Sequence, residues 1–148
     1  MLKFSPDLSD LLFRLLFCLI FVGLGAEHLY DDQLIQNLMP SWMPAPRLVS
    51  MVCGVWLLVW GLLILIGWHL RLAALALGSF LILVTALVHV PGVIHAPVHI
   101  PEDYQWMWLV LQRTNLVKNI CLLGVCFHLL KHKPGRYSLQ HWLLTAHT

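Results

Sequence analysis

The sequence predicts an all-α integral membrane protein, a bundle of four crossing helices with both termini in the cytoplasm. Three observations carry that reading. Hydrophobic residues make up 59% of the 148 positions and charged residues 11%, against a charged share of about 25% in soluble domains. Apolar residues gather in four runs, near 11–29, 48–67, 71–89 and 108–130, each long enough for a hydrocarbon core about 30 Å thick. Lys and Arg are divided unequally between the two sides of such a bundle. Lys3, Arg14, Arg71, Lys131, Lys133 and Arg136 fall on the side of the termini, and Arg47, Arg113 and the deeper Lys118 on the other. Residues 1–137 therefore form a single four-span domain, and 138–148 form a short tail at the membrane surface.

The elements follow in order. The leader holds Lys3, Asp7 and Asp10, with Ser5-Pro6 as a cap for the first helix and Asp7 in its first turn. The run at 11–29 followed by small residues 23–26 has the outline of a signal peptide, but the leader is not clearly basic and the run is read as a retained span. It closes on Glu27, His28, Tyr30, Asp31 and Asp32, before a loop with Trp42 and Pro40, Pro44 and Pro46. Trp and Tyr there fit an interfacial belt. The second span carries Gly54 and Gly61, seven apart on one face with Ser50, a pattern that lets helices approach closely. Trp68-His69-Leu70-Arg71 is a tight turn into the third span, which is expected to end at His89. A loop from 90 to 105 follows, with Pro91, Pro97, Pro101, His95, His99, Glu102 and Asp103. The fourth span is polar in its first half and apolar in its second.

Helical spacing puts the polar and small residues of each span on one stripe. The stripes are Arg14, Cys18, Phe21, Gly25 and His28; Arg47, Ser50, Gly54, Gly61 and Trp68; Arg71, Ala74, Gly78, Thr85 and His89; and Gln112, Asn115, Asn119, Leu122 and Cys126. Four such stripes would line a polar cavity near the outer end. Lys118 and Asn119 are the most informative pair, because a Lys at the centre of a membrane helix costs about 2.5–3.5 kcal/mol on insertion scales. Glu27 is the acid nearest the bundle, so a Lys118–Glu27 contact, direct or through water, is expected beside His28 or His89; the alternative is a Lys118 that snorkels past lipid. His28 and His89 admit three readings: interfacial residues, hydrogen-bonding walls of a ligand pocket, or metal or haem ligands. His95 and His99 have ligand spacing, but Pro97 between them opposes a helix. Spans one and three both end in His before a Pro-rich loop that closes near an Arg, a faint two-plus-two echo.

Several classes are excluded. The basic residues form no patch for nucleic acid. Cys18, Cys53, Cys121 and Cys126 include no C-x-x-C pair, and no metal set is assigned. No P-loop, dinucleotide fingerprint or nucleophile elbow is present.

Arg14 with Phe21-Val22-Gly23-Leu24-Gly25-Ala26-Glu27-His28 resembles the first span of the DoxX family of small bacterial membrane proteins. Gly54 to Gly61, Gly67, Arg71-Leu72-Ala73-Ala74 and a closing His89 resemble its middle spans. Asn115-Leu116-Val117-Lys118-Asn119, with Leu122-Leu123-Gly124, resembles its fourth-span motif, and Pro134-Gly135-Arg136-Tyr137-Ser138-Leu139 its tail. Many members carry Glu where this chain has Leu57, and Gly124-Val125 replaces a usual Gly pair. The resemblance implies four transmembrane helices in a bacterial inner membrane. It also implies an association with redox chemistry, as a subunit of quinone-linked oxidoreductases or a partner of other membrane or periplasmic redox proteins, without supplying a catalytic residue.

The expected function is binding of quinone, or another small hydrophobic molecule, in a polar-lined cavity near the periplasmic end. Its walls would be Glu27, His28, His89, Asn115, Lys118 and Asn119, with Trp106 and Trp108 nearby. The alternative is a non-catalytic scaffold or assembly subunit of a membrane oxidoreductase complex. The expected partners are the lipid bilayer and redox proteins, not nucleic acid, with homo-oligomerisation left open.

Overall fold

In the computed structural model, residues 5–95 and 100–146 are described, with Asp32 and Leu34 described by their backbone alone. Ser5 opens the first helix, α1 (Pro6–Tyr30): its side chain accepts from the Leu8 amide at 3.2 Å, and Pro6 occupies the first turn, where its missing N–H costs nothing. A short α2 (Asp32–Gln36) follows. The second long helix, α3 (Pro46–Ile66), starts on Pro46 and stops at Gly67, whose φ of 70° is the left-handed stop that glycine tolerates. His69, also left-handed at φ 50°, turns the chain into α4 (Leu70–Val84). A π-helical turn, Thr85–His89, leads into α5 (Val90–Ile94). A 3₁₀ turn, Glu102–Tyr104, precedes α6 (Gln105–Leu129), and α7 (Leu139–Thr145) ends the described chain. No strand occurs among the described residues.

The long helices pack in series, α1 on α3, α3 on α4 and α4 on α6. Glycines set the first of these contacts. A Cβ on Gly54 would fall 2.7 Å from His28 Cβ and 3.0 Å from the Gly25 carbonyl, so the two backbones nearly touch. Phe17, Phe21, Leu57, Ile64, Leu77, Leu81, Cys126 and Leu129 form the core between the four. Leu57 stands in that core, an apolar side chain where the resemblance would allow a Glu. The outer faces are also apolar: Leu16, Leu19, Leu48, Leu83, Ile120 and Phe127 are all exposed. An exterior of that composition is suited to lipid.

Three helical stretches are long and apolar enough to cross a membrane: Pro6–Tyr30, Pro46–Ile66 and Leu70–Ile94. Two expectations change. The third stretch does not end at His89 but runs to Ile94, through the π turn and Pro91. The fourth helix, α6, has 25 residues but falls short on hydropathy, because Gln112, Arg113, Asn115, Lys118 and Asn119 interrupt it.

Hydrogen bonds define two ends. At the terminal end, the start of α1, the α3–α4 turn and residues 132–142 meet: Arg14 donates to the Leu65 and Tyr137 carbonyls, and the Gln140 amide reaches the Gly67 carbonyl. At the loop end, the close of α1 meets the start of α3, and residues 85–92 meet the first half of α6.

Candidate functional site

The loop end gathers the polar side chains that helical spacing turns inward. His89 is the last residue of the π turn, and its Nδ1 donates to Gln112 Oε1 at 2.8 Å. The amide oxygen can only accept, so Nδ1 carries the proton of this bond, and in the neutral ring Nε2 keeps a lone pair that can accept. Gln112 is 1% exposed and is held from the other side by Gly92, where a Cβ would fall 2.8 Å from the Gln112 amide carbon. The Gly92 carbonyl accepts from Trp108 Nε1 at 2.9 Å, which ties the end of the third stretch to the first turn of α6. One turn deeper, Asn119 Nδ2 donates to Thr85 Oγ1 at 3.1 Å. Thr85 and His89 thus hold α6 at both ends of the π turn, a kind of helix distortion that often occurs at functional sites. Lys118 is half-buried beside this set, next to Asn119 on α6. Its Nζ donates to Asn115 Oδ1 at 2.8 Å, on the same helix.

A second polar contact joins α1 and α3. His28 Nδ1 lies 3.0 Å from Ser50 Oγ, and the same hydroxyl lies 3.4 Å from the His28 carbonyl. Ser50 is fully buried. The two contacts are alike: a His at the end of one helix meets a polar side chain 22 or 23 residues later, in the opening turns of the next long helix.

The terminal end holds a denser network. Arg14 is fully buried. Its Nε pairs with Asp10 Oδ2 at 3.0 Å, Nη1 donates to the Leu65 carbonyl at 2.5 Å and Nη2 to the Tyr137 carbonyl at 2.6 Å. Asp10 is occupied on both oxygens, by His132 Nε2 at 2.6 Å and by the Gly135 amide at 3.0 Å. Asp7 accepts from the Arg136 amide at 2.9 Å and pairs with its side chain at 3.1 Å. Gly135 leaves room for this: a Cβ there would meet Asp7 Oδ1 at 2.8 Å.

The family model for DoxX matches residues 9–90, more than half of the chain. The chain belongs to the DoxX family. No curated protein and no solved structure matches it. In this DoxX protein the match covers α1, α3, α4 and the π turn, and ends before α6. Gln112, Asn115, Lys118 and Asn119 therefore lie beyond the matched stretch, as does the tail.

Of the residues expected to line the DoxX site, His89, Asn115, Lys118 and Asn119 lie along the seam between α6 and residues 85–92. His28 is bound instead to Ser50 in the α1–α3 seam. Glu27 is exposed, and no Lys118–Glu27 ion pair forms among the described residues. In place of a direct pair, Asn115, one turn away, gives the amine a local acceptor. His95 is exposed, and His99 lies outside the described residues, as does Lys3 of the leader. Among the described residues, no three His, Cys, Asp or Glu side chains gather as a metal site requires. Thr85, Gly92, Gln112 and Ser50 were not singled out as site residues, and Trp108 was expected only near the site. Thr85, Gln112 and Ser50 were visible in the polar stripes, whereas nothing local in the sequence pairs Trp108 with Gly92.

Proposed function

We propose that this DoxX-family protein is an inner-membrane protein, with both termini in the cytoplasm and α6 as a fourth crossing helix. In this reading it binds quinone or another small hydrophobic molecule with polar ends, near the periplasmic side. The observation that carries the reading is the His89–Gln112 pair at 2.8 Å, in the seam between the π turn and α6. The bond leaves His89 Nε2 as an acceptor for a quinol hydroxyl, and the half-buried Lys118 amine beside it is a donor for a carbonyl oxygen. A quinone needs an apolar slot with one or two such groups. Asn119 and Asn115 keep the seam polar, while Glu27 and His28 stand at the outer rim of the neighbouring seam. The redox association belongs to the same reading and rests on the chemistry of that ligand.

Binding of a quinone analogue to purified protein, measured by fluorescence quenching of the Trp residues, tests it. Lys118→Ala and His89→Phe should each weaken binding by about tenfold, the loss of one good polar contact of about 1.4 kcal/mol. Equal binding by both variants and the parent, or no binding by any, removes the reading.

A scaffold or assembly subunit of a membrane oxidoreductase is the second reading. It is favoured by the apolar groove of about 460 Å³ along α3, between Met51, Val55, Trp56 and Trp60. Crosslinking in membranes at Val55 would capture a partner helix in that case, and lipid alone otherwise.

A further inference from the structure

We infer that the terminal end carries a binding site for the phosphate headgroup of an anionic lipid, in a cleft of about 520 Å³ between the α3–α4 turn and the segment after α6. The cleft is lined by Arg71, Lys131, Lys133 and His69, with Leu72 and Leu130 among its apolar walls.

The charge balance at this end points to an anion. Its described acids are Asp7 and Asp10, and both are committed. Asp10 takes Arg14, His132 and the Gly135 amide, and Asp7 takes Arg136. The side chains of Arg71, Lys131 and Lys133 have no hydrogen bond or ion pair among the described residues, yet all three converge on one cleft. That leaves three positive charges with no counter-charge among the described residues. The first turn of α4 lines the same cleft, and His69 gives it no side-chain cap, so its amides add to the positive field.

The source of the anion follows from the walls and the setting. Leu72 and Leu130 are apolar, and the cleft sits where the long apolar helices begin and end. A glycerophospholipid meets both demands: its phosphate lies among the cations, and its first methylenes lie against the leucines. A free phosphate would use only the first set. Basic pockets between membrane helices take anionic headgroups in this way, and each cation near such a surface contributes roughly a fivefold gain in affinity.

The test uses the full chain in lipid nanodiscs and native mass spectrometry. With mixed phosphatidylglycerol and phosphatidylcholine, one phosphatidylglycerol should stay bound in preference to phosphatidylcholine. Lys131→Gln with Lys133→Gln, both exposed, should weaken retention by roughly 25-fold, at about fivefold per cation. Arg71→Gln should weaken it by roughly fivefold, while Arg113→Gln, the same charge change at the loop end, should leave it unchanged. No preference for phosphatidylglycerol overturns the proposal. An equal loss with Arg113→Gln also overturns it, because net charge alone would then explain retention. Inorganic phosphate at millimolar concentration that displaces the lipid fully overturns the lipid assignment in favour of a free-anion site.

Discussion

Arg14 is the residue that the fold can least replace. Its guanidinium is fully buried and makes bonds to three partners: Asp10, the Leu65 carbonyl and the Tyr137 carbonyl. Removing one partner of a buried pair leaves an uncompensated charge and costs about 3–5 kcal/mol. Arg14→Met should therefore lower stability by about that amount, read as a drop in the thermal unfolding midpoint in detergent. Arg14→Met combined with Asp10→Leu should cost less than the sum of the two single changes. Lys118 is the contrasting case. It bonds Asn115 and not Glu27, so Lys118→Met and Glu27→Gln should add in stability to within about 0.5 kcal/mol. Single residues were legible where periodicity was enough: Arg14, Cys18, Phe21 and Gly25 share a stripe, and all four are buried. The partners of Arg14 were not, because Tyr137 lies 123 residues away and leaves no periodic trace.

At the scale of the element, the α1–α3 pair is set by glycine spacing. A Cβ on Gly54 would press on His28 Cβ at 2.7 Å and on the Gly25 carbonyl at 3.0 Å, both of which resist displacement. Gly54→Ala should cost about 1–3 kcal/mol of stability by overpacking, and it should disturb the His28–Ser50 contact. Gly23 and Gly124 have nothing within 4 Å of a Cβ. Alanine at either should be neutral or stabilising by up to about 1 kcal/mol, from helix propensity. The same unfolding measurement separates the three. The third stretch runs past Pro91, which the sequence reading placed in the loop. The π turn resolves this: the Val90 amide bonds back to Thr85, five residues earlier, and the widened turn accommodates the proline ring that follows. Such a turn has no residue code of its own, so only the structure revealed it.

For the whole molecule, the start of α1 and residues 132–142 lie together while the polar seams lie at the opposite end. The even number of crossings belongs to the proposal above. In the orientation proposed above, a cysteine at Ser41 should be labelled from the periplasm only, and one at Gln140 from the cytoplasm only; the reverse pattern would invert the topology. Gln140 is the better reporter of the tail because it is exposed, whereas Ser138 is 5% exposed and bonds the Gly135 carbonyl. The helical class was legible from hydropathy, since the long runs leave little else to build. The standing of α6 was less so, because the polar residues that make it interesting also lower its hydropathy.

The latch at the terminal end also has a consequence in time. The Asp10–Arg14 pair is local and can form as soon as α1 does. The Tyr137 carbonyl and the Gly135 amide that complete it are made more than 120 residues later. At about 5–20 residues per second of synthesis, that interval lasts roughly 6–25 s. For that period Arg14 has Asp10 and, once it is made, the Leu65 carbonyl, but its last acceptor does not yet exist. The arrival of residues 134–138 is therefore the event that completes the partners of Arg14 and Asp10.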